Sequence, residues 1–183
     1  MKLIALLRNP VERAYSAWNM FRQIHGDSAI RAGTIEQYIN PANLDVRRGM
    51  LELLNAARFP DFDVCVRREI AGLQSGAGQA VEPSFVRRGL YAEQLRRFQP
   101  LFPRQNLLVL ESTELRLRRQ ETLNRVLTFL GLQEWDWSQA ALHDAHVREY
   151  GAKMTESSRA LLQDFFRAAN ADLCSLLGRD FAW

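Results

Sequence analysis

Apolar residues near the start of the chain change from a continuous run to a helical spacing, which predicts a strand followed by a helix. Lys2–Leu7 is a continuous run after its lysine, typical of a short, fully buried strand. Asn9 fits a helix N-cap, Pro10 fits the first helical position, and Glu12 is spaced to complete a capping box. The apolar stripe of this helix consists of Val11, Ala14, Tyr15, Trp18 and Phe21.

The same two patterns predict further elements downstream. Asn106–Leu110 is a second continuous apolar run and indicates another buried, parallel strand. Helical spacing predicts helices over Asp61–Leu73, Leu90–Phe98, Glu121–Leu130 and a last long segment after an N-cap at Thr155, with stops at Gly131 and Gly178. Strands separated by helices predict an α/β layered domain with a parallel sheet.

Two segments have a weaker pattern. His25–Arg58 is interrupted by glycine and proline, and we interpret it as loops with short helices over Thr34–Ile39 and Val46–Ala57. Gln74–Pro83 is rich in glycine without an apolar period, which predicts a surface loop.

The length and the cysteines restrict the class of protein. A chain of 183 residues suits one domain spanning 1–183, and no apolar run approaches the ~20 residues of a membrane span. Cys65 and Cys174 are the only cysteines, which excludes a disulfide framework. A reducing compartment is the simpler interpretation, and we therefore expect a cytoplasmic protein.

The formal charge is +3, and nearly all the positive charge is arginine, since Lys2 and Lys153 are the only lysines. The planar guanidinium binds carboxylate and phosphate oxygens in pairs, so an arginine-rich chain suits anionic ligands. A compositional bias of the coding genome is the simpler explanation of the excess. The arginine pairs are dispersed along the chain, whereas a nucleic-acid footprint would cluster, so we expect no nucleic-acid partner.

Candidate chemistry lies at the first strand–helix turn. In open α/β sheets, ligands bind beyond the carboxyl ends of strands, near the free N–H groups of helix N-termini. Arg8 directly follows the predicted strand, and Ser16 lies nearly two turns into the helix. A phosphate there could bind Arg8 and Ser16. The residues alone leave a second interpretation open, in which both are ordinary solvated side chains.

The segment Lys2–Ser16, K-L-I-A-L-L-R-N-P-V-E-R-A-Y-S, resembles the 3′-phosphate-binding segment of sulfotransferases that use 3′-phosphoadenosine 5′-phosphosulfate. The family pattern is a strand followed by R-[ND]-P-x-[DE]-R-x-x-S. The resemblance continues through R-G-L-Y-A-E-Q-L (Arg88–Leu95), F-P-R-Q-N-L-L-V-L-E (Phe102–Glu111), L-T-F-L-G-L (Leu127–Leu132) and L-L-G-R-D-F-A-W (Leu176–Trp183). These stretches are similar to the bacterial and heparan-sulfate-type branch, and together they cover nearly the whole chain.

The resemblance implies a P-loop-like three-layer fold with a parallel sheet flanked by helices. It also implies transfer of a sulfuryl group from 3′-phosphoadenosine 5′-phosphosulfate, as co-substrate, to an acceptor hydroxyl or amine. Arg8 and Ser16 occupy the family positions that hold the 3′-phosphate. The acceptor, whether a glycan, a lipid or a small molecule, is not identified by residue types. The family uses no metal.

The chain departs from the family pattern at its N-terminus. The family's phosphosulfate loop, P-K-[SAT]-G-[TS]-[TS], does not precede Lys2. The general base, a Glu or His in the family, is expected upstream of Met1, so no catalytic residue is assigned here. We therefore expect a truncated domain without its N-terminal βα unit. The alternative is a non-catalytic remnant or interaction module that keeps the scaffold without turnover.

Weaker candidates lie further along the chain. Arg148 and Lys153 fall where relatives place a basic loop over the nucleotide, although both fit solvated loop charges too. Tyr91 could line the cleft, but its helical spacing with Leu95 favours the core. His143 and His146 lack a convincing third ligand, so we expect no metal site.

Overall fold

The computed structural model describes residues 1–76, 83–140, 150–151, 153–181 and 183. Within these residues there are two strands, β1 (Leu3–Leu7) and β2 (Leu107–Glu111). The helices are α1 (Pro10–Gly26), α2 (Ser28–Tyr38), α3 (Leu44–Asn55), α4 (Phe62–Gln74), α5 (Tyr91–Phe98), α6 (Ser112–Leu117), α7 (Arg119–Leu130) and α8 (Glu156–Leu177). The predicted loop Gln74–Pro83 lies largely outside the described residues.

The chain divides into two compact units. The sheet unit comprises Met1–Arg8 and Tyr91–Gly151, and the helical unit comprises Asn9–Leu90 and Ala152–Trp183. The chain passes from one unit to the other directly after Arg8, Leu90 and Gly151. The expectation of one domain over 1–183 stays a prediction.

The sheet unit is built on the two strands that continuous apolar runs predicted. They pair in parallel, with Leu3 opposite Leu107 and Leu7 opposite Glu111. Helices α6 and α7 follow β2 directly and pack against it. The α/β class with a parallel sheet is thus confirmed.

The prediction that the first strand is fully buried is wrong. Burial alternates along β1, and Ile4 and Leu6 are 45% and 50% exposed. In the described part of the chain the sheet has only two strands, so β1 has a hydrogen-bonded neighbour on one edge. A continuous apolar run is typical of a strand covered on both faces, and β1 lacks that cover.

The helical unit has its core where α1, α4 and α8 contact one another. The fully buried side chains from these helices include Val66, Leu162, Phe166 and Leu173. Tyr15, Trp18 and Phe62 add an aromatic cluster, with the Tyr15 and Phe62 rings 5.0 Å apart edge to face. Such pairs contribute about 0.5–1.5 kcal/mol beyond their buried area.

Helix α2 is longer than predicted, since it covers Ser28–Tyr38 rather than Thr34–Ile39. Its start is fixed by Asp27, whose carboxylate accepts hydrogen bonds from the backbone N–H groups of Ala29 and Ile30. None of its residues is buried, so there was no apolar stripe to reveal it. Helix α3, Leu44–Asn55, agrees closely with the predicted Val46–Ala57.

The predicted helix ends are confirmed. Gly131 and Gly178 adopt left-handed conformations, with φ of 84° and 65°, directly after α7 and α8. The Thr155 side chain accepts a hydrogen bond from the Ser158 N–H and caps α8. Among the described residues, no helix combines the length and apolar character needed to cross a membrane.

Candidate functional site

Arg8 leaves the end of β1 as an exposed side chain. It follows Leu7, which is buried and lies opposite Glu111 in the strand register. Within the described residues, its guanidinium has no hydrogen bond or ion pair to a protein group. Among the described residues, Arg8 is therefore a candidate for binding an anionic ligand.

The first turn of α1 does not offer free backbone N–H groups, contrary to the expectation for a helix N-terminus at this turn. Pro10 has no N–H, and the Asn9 side chain accepts from the N–H groups of Val11 at 2.9 Å and Glu12 at 3.3 Å. The Arg13 N–H donates to the Asn9 carbonyl at 2.9 Å. Because these groups are satisfied internally, an anion at this turn would depend on side chains.

Two charged side chains of the motif, those of Glu12 and Arg13, bind groups elsewhere in the helical unit. The Arg159 guanidinium of α8 donates to the Glu12 carboxylate at 2.6 Å, and the Arg13 guanidinium donates to the Phe85 carbonyl at 3.0 Å. Of the predicted capping box, the Asn9 half is present, whereas the Glu12 carboxylate pairs with α8. Sequence spacing could not show this pairing, since its partner lies 147 positions away.

The other predicted site residues lie in different parts of the chain. Ser16 is half-buried on α1, and Lys153 is exposed shortly before α8; both belong to the helical unit. Arg8 belongs to the sheet unit, and Arg148 lies outside the described residues. Because these residues are divided between two units, their grouping around one phosphate stays a prediction.

Tyr91 makes a contact with the Arg8 main chain that the sequence did not reveal. Its side chain is buried at the start of α5, as the core interpretation predicted, and its hydroxyl donates to the Arg8 carbonyl at 2.8 Å. Both residues belong to the sheet unit. The only advance signal was a tyrosine, rather than a phenylalanine, in the R-G-L-Y stretch.

The carboxyl end of β2 holds a buried acidic residue. Glu111 is 8% exposed and forms a reciprocal capping box with Glu114 at the start of α6. The Arg125 guanidinium of α7 donates to the Glu114 carboxylate at 3.2 Å. These contacts fix the strand end opposite Leu7.

A second carboxylate organises the segment that leads to Gly89. Both Glu69 oxygens, from α4, accept hydrogen bonds at 2.7–2.9 Å, and the donors are the Ser84 hydroxyl and the N–H groups of Phe85, Val86 and Arg87. The segment ends at Gly89, where a Cβ atom would lie 2.8 Å from the Phe166 ring and from the Pro10 Cβ. Glycine is therefore required there by close packing.

The remaining reactive side chains do not form a site in the described residues. Burial raises the pKa of the Cys65 thiol to about 11, so this thiol is largely protonated at neutral pH. Those residues contain no cluster of three or more metal-binding side chains, and His143 and His146 lie outside them. A surface cavity of about 470 Å³ in the sheet unit, lined by Leu108, Arg125 and Phe129 among others, includes none of the predicted site residues.

The fold defines the class of this protein as an α/β domain of the P-loop-like type. A sulfotransferase from Alicyclobacillus acidocaldarius superposes with a TM-score of 0.58 over 99% of this chain, at 23% sequence identity. The family model for the sulfotransferase domain matches residues 1–169. The chain belongs to the sulfotransferase family.

Curated relatives agree with this assignment. The bifunctional heparan sulfate N-deacetylase/N-sulfotransferase 2 proteins of Homo sapiens and Bos taurus are each 26% identical to this chain over an alignment of 199 residues. The alignment covers 97% of this chain. The chain spans 19% of the length of these relatives and 56% of the length of the Alicyclobacillus chain.

Proposed function

We propose that this chain binds the 3′-phosphate of 3′-phosphoadenosine 5′-phosphosulfate through Arg8 and Ser16 and serves the transfer of the sulfuryl group to a hydroxyl or amine. The observation that carries the proposal is the Arg8 guanidinium, which follows the first strand within the family motif and has no partner among the described residues. The names of the curated relatives include N-sulfotransferase, which supports a nitrogen acceptor as one of the two possibilities.

The first turn of α1 supports binding through side chains. Since its backbone N–H groups are satisfied by Asn9, the charge that balances the 3′-phosphate has to come from a cation. Arg13 already binds the Phe85 carbonyl, and Lys2 donates to the Phe129 carbonyl. Arg8 is therefore the cation of this segment best suited to a bidentate contact, with Ser16 as a hydroxyl donor.

In the proposed reaction, the acceptor oxygen or nitrogen forms a bond to sulfur while the bond between sulfur and the phosphate oxygen breaks. The acceptor proton passes to a base, and 3′,5′-ADP leaves. Arg8 and Ser16 act by holding one end of the nucleotide, so that the reacting bond is positioned for in-line displacement. Arg148 and Lys153 are proposed as further contacts to the nucleotide phosphates.

Isothermal titration calorimetry tests the nucleotide site. We expect Arg8→Ala to weaken 3′,5′-ADP binding about 10- to 100-fold, the magnitude of one charge-assisted contact. Affinity for 5′-AMP, which lacks the 3′-phosphate, should stay unchanged. Arg116→Ala, which removes an exposed arginine of α6, is the matched control. Equal losses for both nucleotides, or no binding by the folded wild-type chain, would contradict the proposal.

Turnover is measured separately, as release of 3′,5′-ADP from the donor in the presence of amine and hydroxyl acceptors. Release that depends on the acceptor supports a transferase. Binding without any release favours the alternative of a scaffold that holds nucleotide without turning it over.

A further inference from the structure

The contact between Tyr91 and Arg8 assigns a role that neither residue's position in the sequence indicates. We infer that Tyr91 is a positioning residue for the nucleotide 3′-phosphate, because its hydroxyl fixes the peptide group that follows Arg8. This inference rests on the proposed function of Arg8.

The main chain of Arg8 is held on both sides. On the N-terminal side, Leu7 is buried and paired in register with Glu111 of β2. On the C-terminal side, the Tyr91 hydroxyl donates to the Arg8 carbonyl at 2.8 Å. The donor and the acceptor are 83 residues apart in sequence, and both lie in the sheet unit.

The Tyr91 side chain is itself held in place by burial. It is 8% exposed at the start of α5, where its neighbour Ala92 and, one turn on, Leu95 are also buried. A buried ring loses few rotamers when it makes a hydrogen bond, so its hydroxyl has a well-defined position. The exposed Arg8 side chain is thus attached to a main chain whose peptide plane is fixed.

A fixed main chain at Arg8 benefits an anionic ligand in particular. Phosphate recognition by a guanidinium requires a defined direction of the side chain, and ordering a flexible strand end on binding would cost affinity. Removing only the Tyr91 hydroxyl should therefore weaken contacts made through Arg8 and leave other contacts to the nucleotide unaffected.

The experiment is a double-mutant cycle of Tyr91→Phe and Arg8→Ala, read by calorimetry with 3′,5′-ADP and with 5′-AMP. In the wild-type background, we expect Tyr91→Phe to raise the Kd for 3′,5′-ADP about three- to tenfold, the size of one lost neutral hydrogen bond. The Kd for 5′-AMP should change less than about twofold, and in the Arg8→Ala background the effect of Tyr91→Phe should disappear. Tyr38→Phe, at an exposed tyrosine of α2, is the matched control.

If Tyr91→Phe does not fold, a second pair of variants tests the same hydrogen bond. Replacement of Tyr91 by 4-aminophenylalanine keeps a donor at the ring terminus and should retain affinity, whereas 4-fluorophenylalanine removes the donor and should lose it. Thermal unfolding of each variant confirms that the sample is folded.

The outcomes separate the two hypotheses. If Arg8→Ala weakens 3′,5′-ADP selectively while Tyr91→Phe has no effect, Tyr91 only packs and this inference is wrong, although the proposed function stands. Equal losses for both nucleotides in Tyr91→Phe also overturn it, because a general structural defect does not distinguish the 3′-phosphate. If the wild-type chain binds no 3′,5′-ADP, both the proposed function and this inference fail.

Discussion

Glu12 and Arg159 form an ion pair at 2.6 Å that joins the first helix of the helical unit to its last. Both side chains are about one-third exposed, and their elements contact each other elsewhere as well. The acidic position of the R-N-P-V-E-R segment is therefore a structural residue.

The ion pair predicts a measurable coupling. We expect Glu12→Gln and Arg159→Gln each to lower the free energy of unfolding by about 0.5–1 kcal/mol, because the pair is partly exposed. The double variant should lose less than the sum of the two. Urea denaturation of the four proteins gives the coupling energy, and strict additivity would show that the pair contributes nothing.

We expect substitution of Glu69 to lower the free energy of unfolding more than substitution of Glu12 does. Glu69→Gln replaces one of two accepting oxygens by an NH₂ group, which faces backbone donors that now lack an acceptor. We expect a loss of about 2–3 kcal/mol in the free energy of unfolding. Glu52→Gln, at an exposed position of α3, should change it by less than about 0.5 kcal/mol. Similar losses for the two variants in urea denaturation would contradict the role of Glu69.

We expect a larger residue at position 89 to destabilise the protein through overpacking. Gly89→Ala places a methyl group 2.8 Å from the Phe166 ring and the Pro10 Cβ, and should cost about 1–3 kcal/mol. Gly33→Ala, in α2, is the control, because a Cβ atom there has no other atom within 4 Å. Alanine is the better helix former, so this variant should raise the free energy of unfolding by up to about 1 kcal/mol. Combining Gly89→Ala with Phe166→Leu should restore part of the loss if the ring is the obstacle. Thermal unfolding measures all three variants.

Cys65 predicts a pH dependence of thiol reactivity. In a Cys174→Ala background, the rate of alkylation by iodoacetamide should rise with a midpoint near pH 11 in the folded protein, because burial raises the thiol's pKa from 9.0 to about 11. In urea the midpoint should return to about 9. A midpoint near 9 in the folded protein would contradict the burial of this thiol.

The sign of the stability effect follows from the same shift. The folded-state pKa of Cys65 lies above the unfolded value, so folding favours the protonated thiol. The stability associated with this group is fully present below the unfolded pKa and is lost as the pH rises through the folded one. The urea concentration at the unfolding midpoint should therefore decrease between about pH 9 and pH 11, and should decrease less in Cys65→Ala.

The sequence predicted those parts of the fold that depend on local pattern. The caps at Asn9, Thr155 and Gly178 and the parallel pairing of two apolar runs were predicted because each signal lies within a few residues. Helix α2 was underestimated, because a helix with no buried residue has no apolar stripe.

The site was predictable only in part, for a different reason. Arg8 is a candidate from a short motif, and its role stays a prediction, whereas the partners of Glu12, Glu69 and the Arg8 carbonyl are set by tertiary contacts 15 to 147 residues away. A carboxylate or a tyrosine gives no sign in the sequence of which distant donor or acceptor it will meet. Such contacts follow from the packing of helices and are seen only once the helices are in place.

The alternating exposure of β1 has a consequence for how the chain behaves at high concentration. Ile4 and Leu6 place apolar surface on a strand paired along one edge among the described residues, with no proline or bulge within it to discourage further pairing. Strands of this kind are templates for pairing with other chains. Encounters between two such strands increase with the square of protein concentration, so loss of soluble material competes with ligand binding most strongly in concentrated samples. Dilute titrations are therefore a better test of the proposed nucleotide binding than concentrated ones.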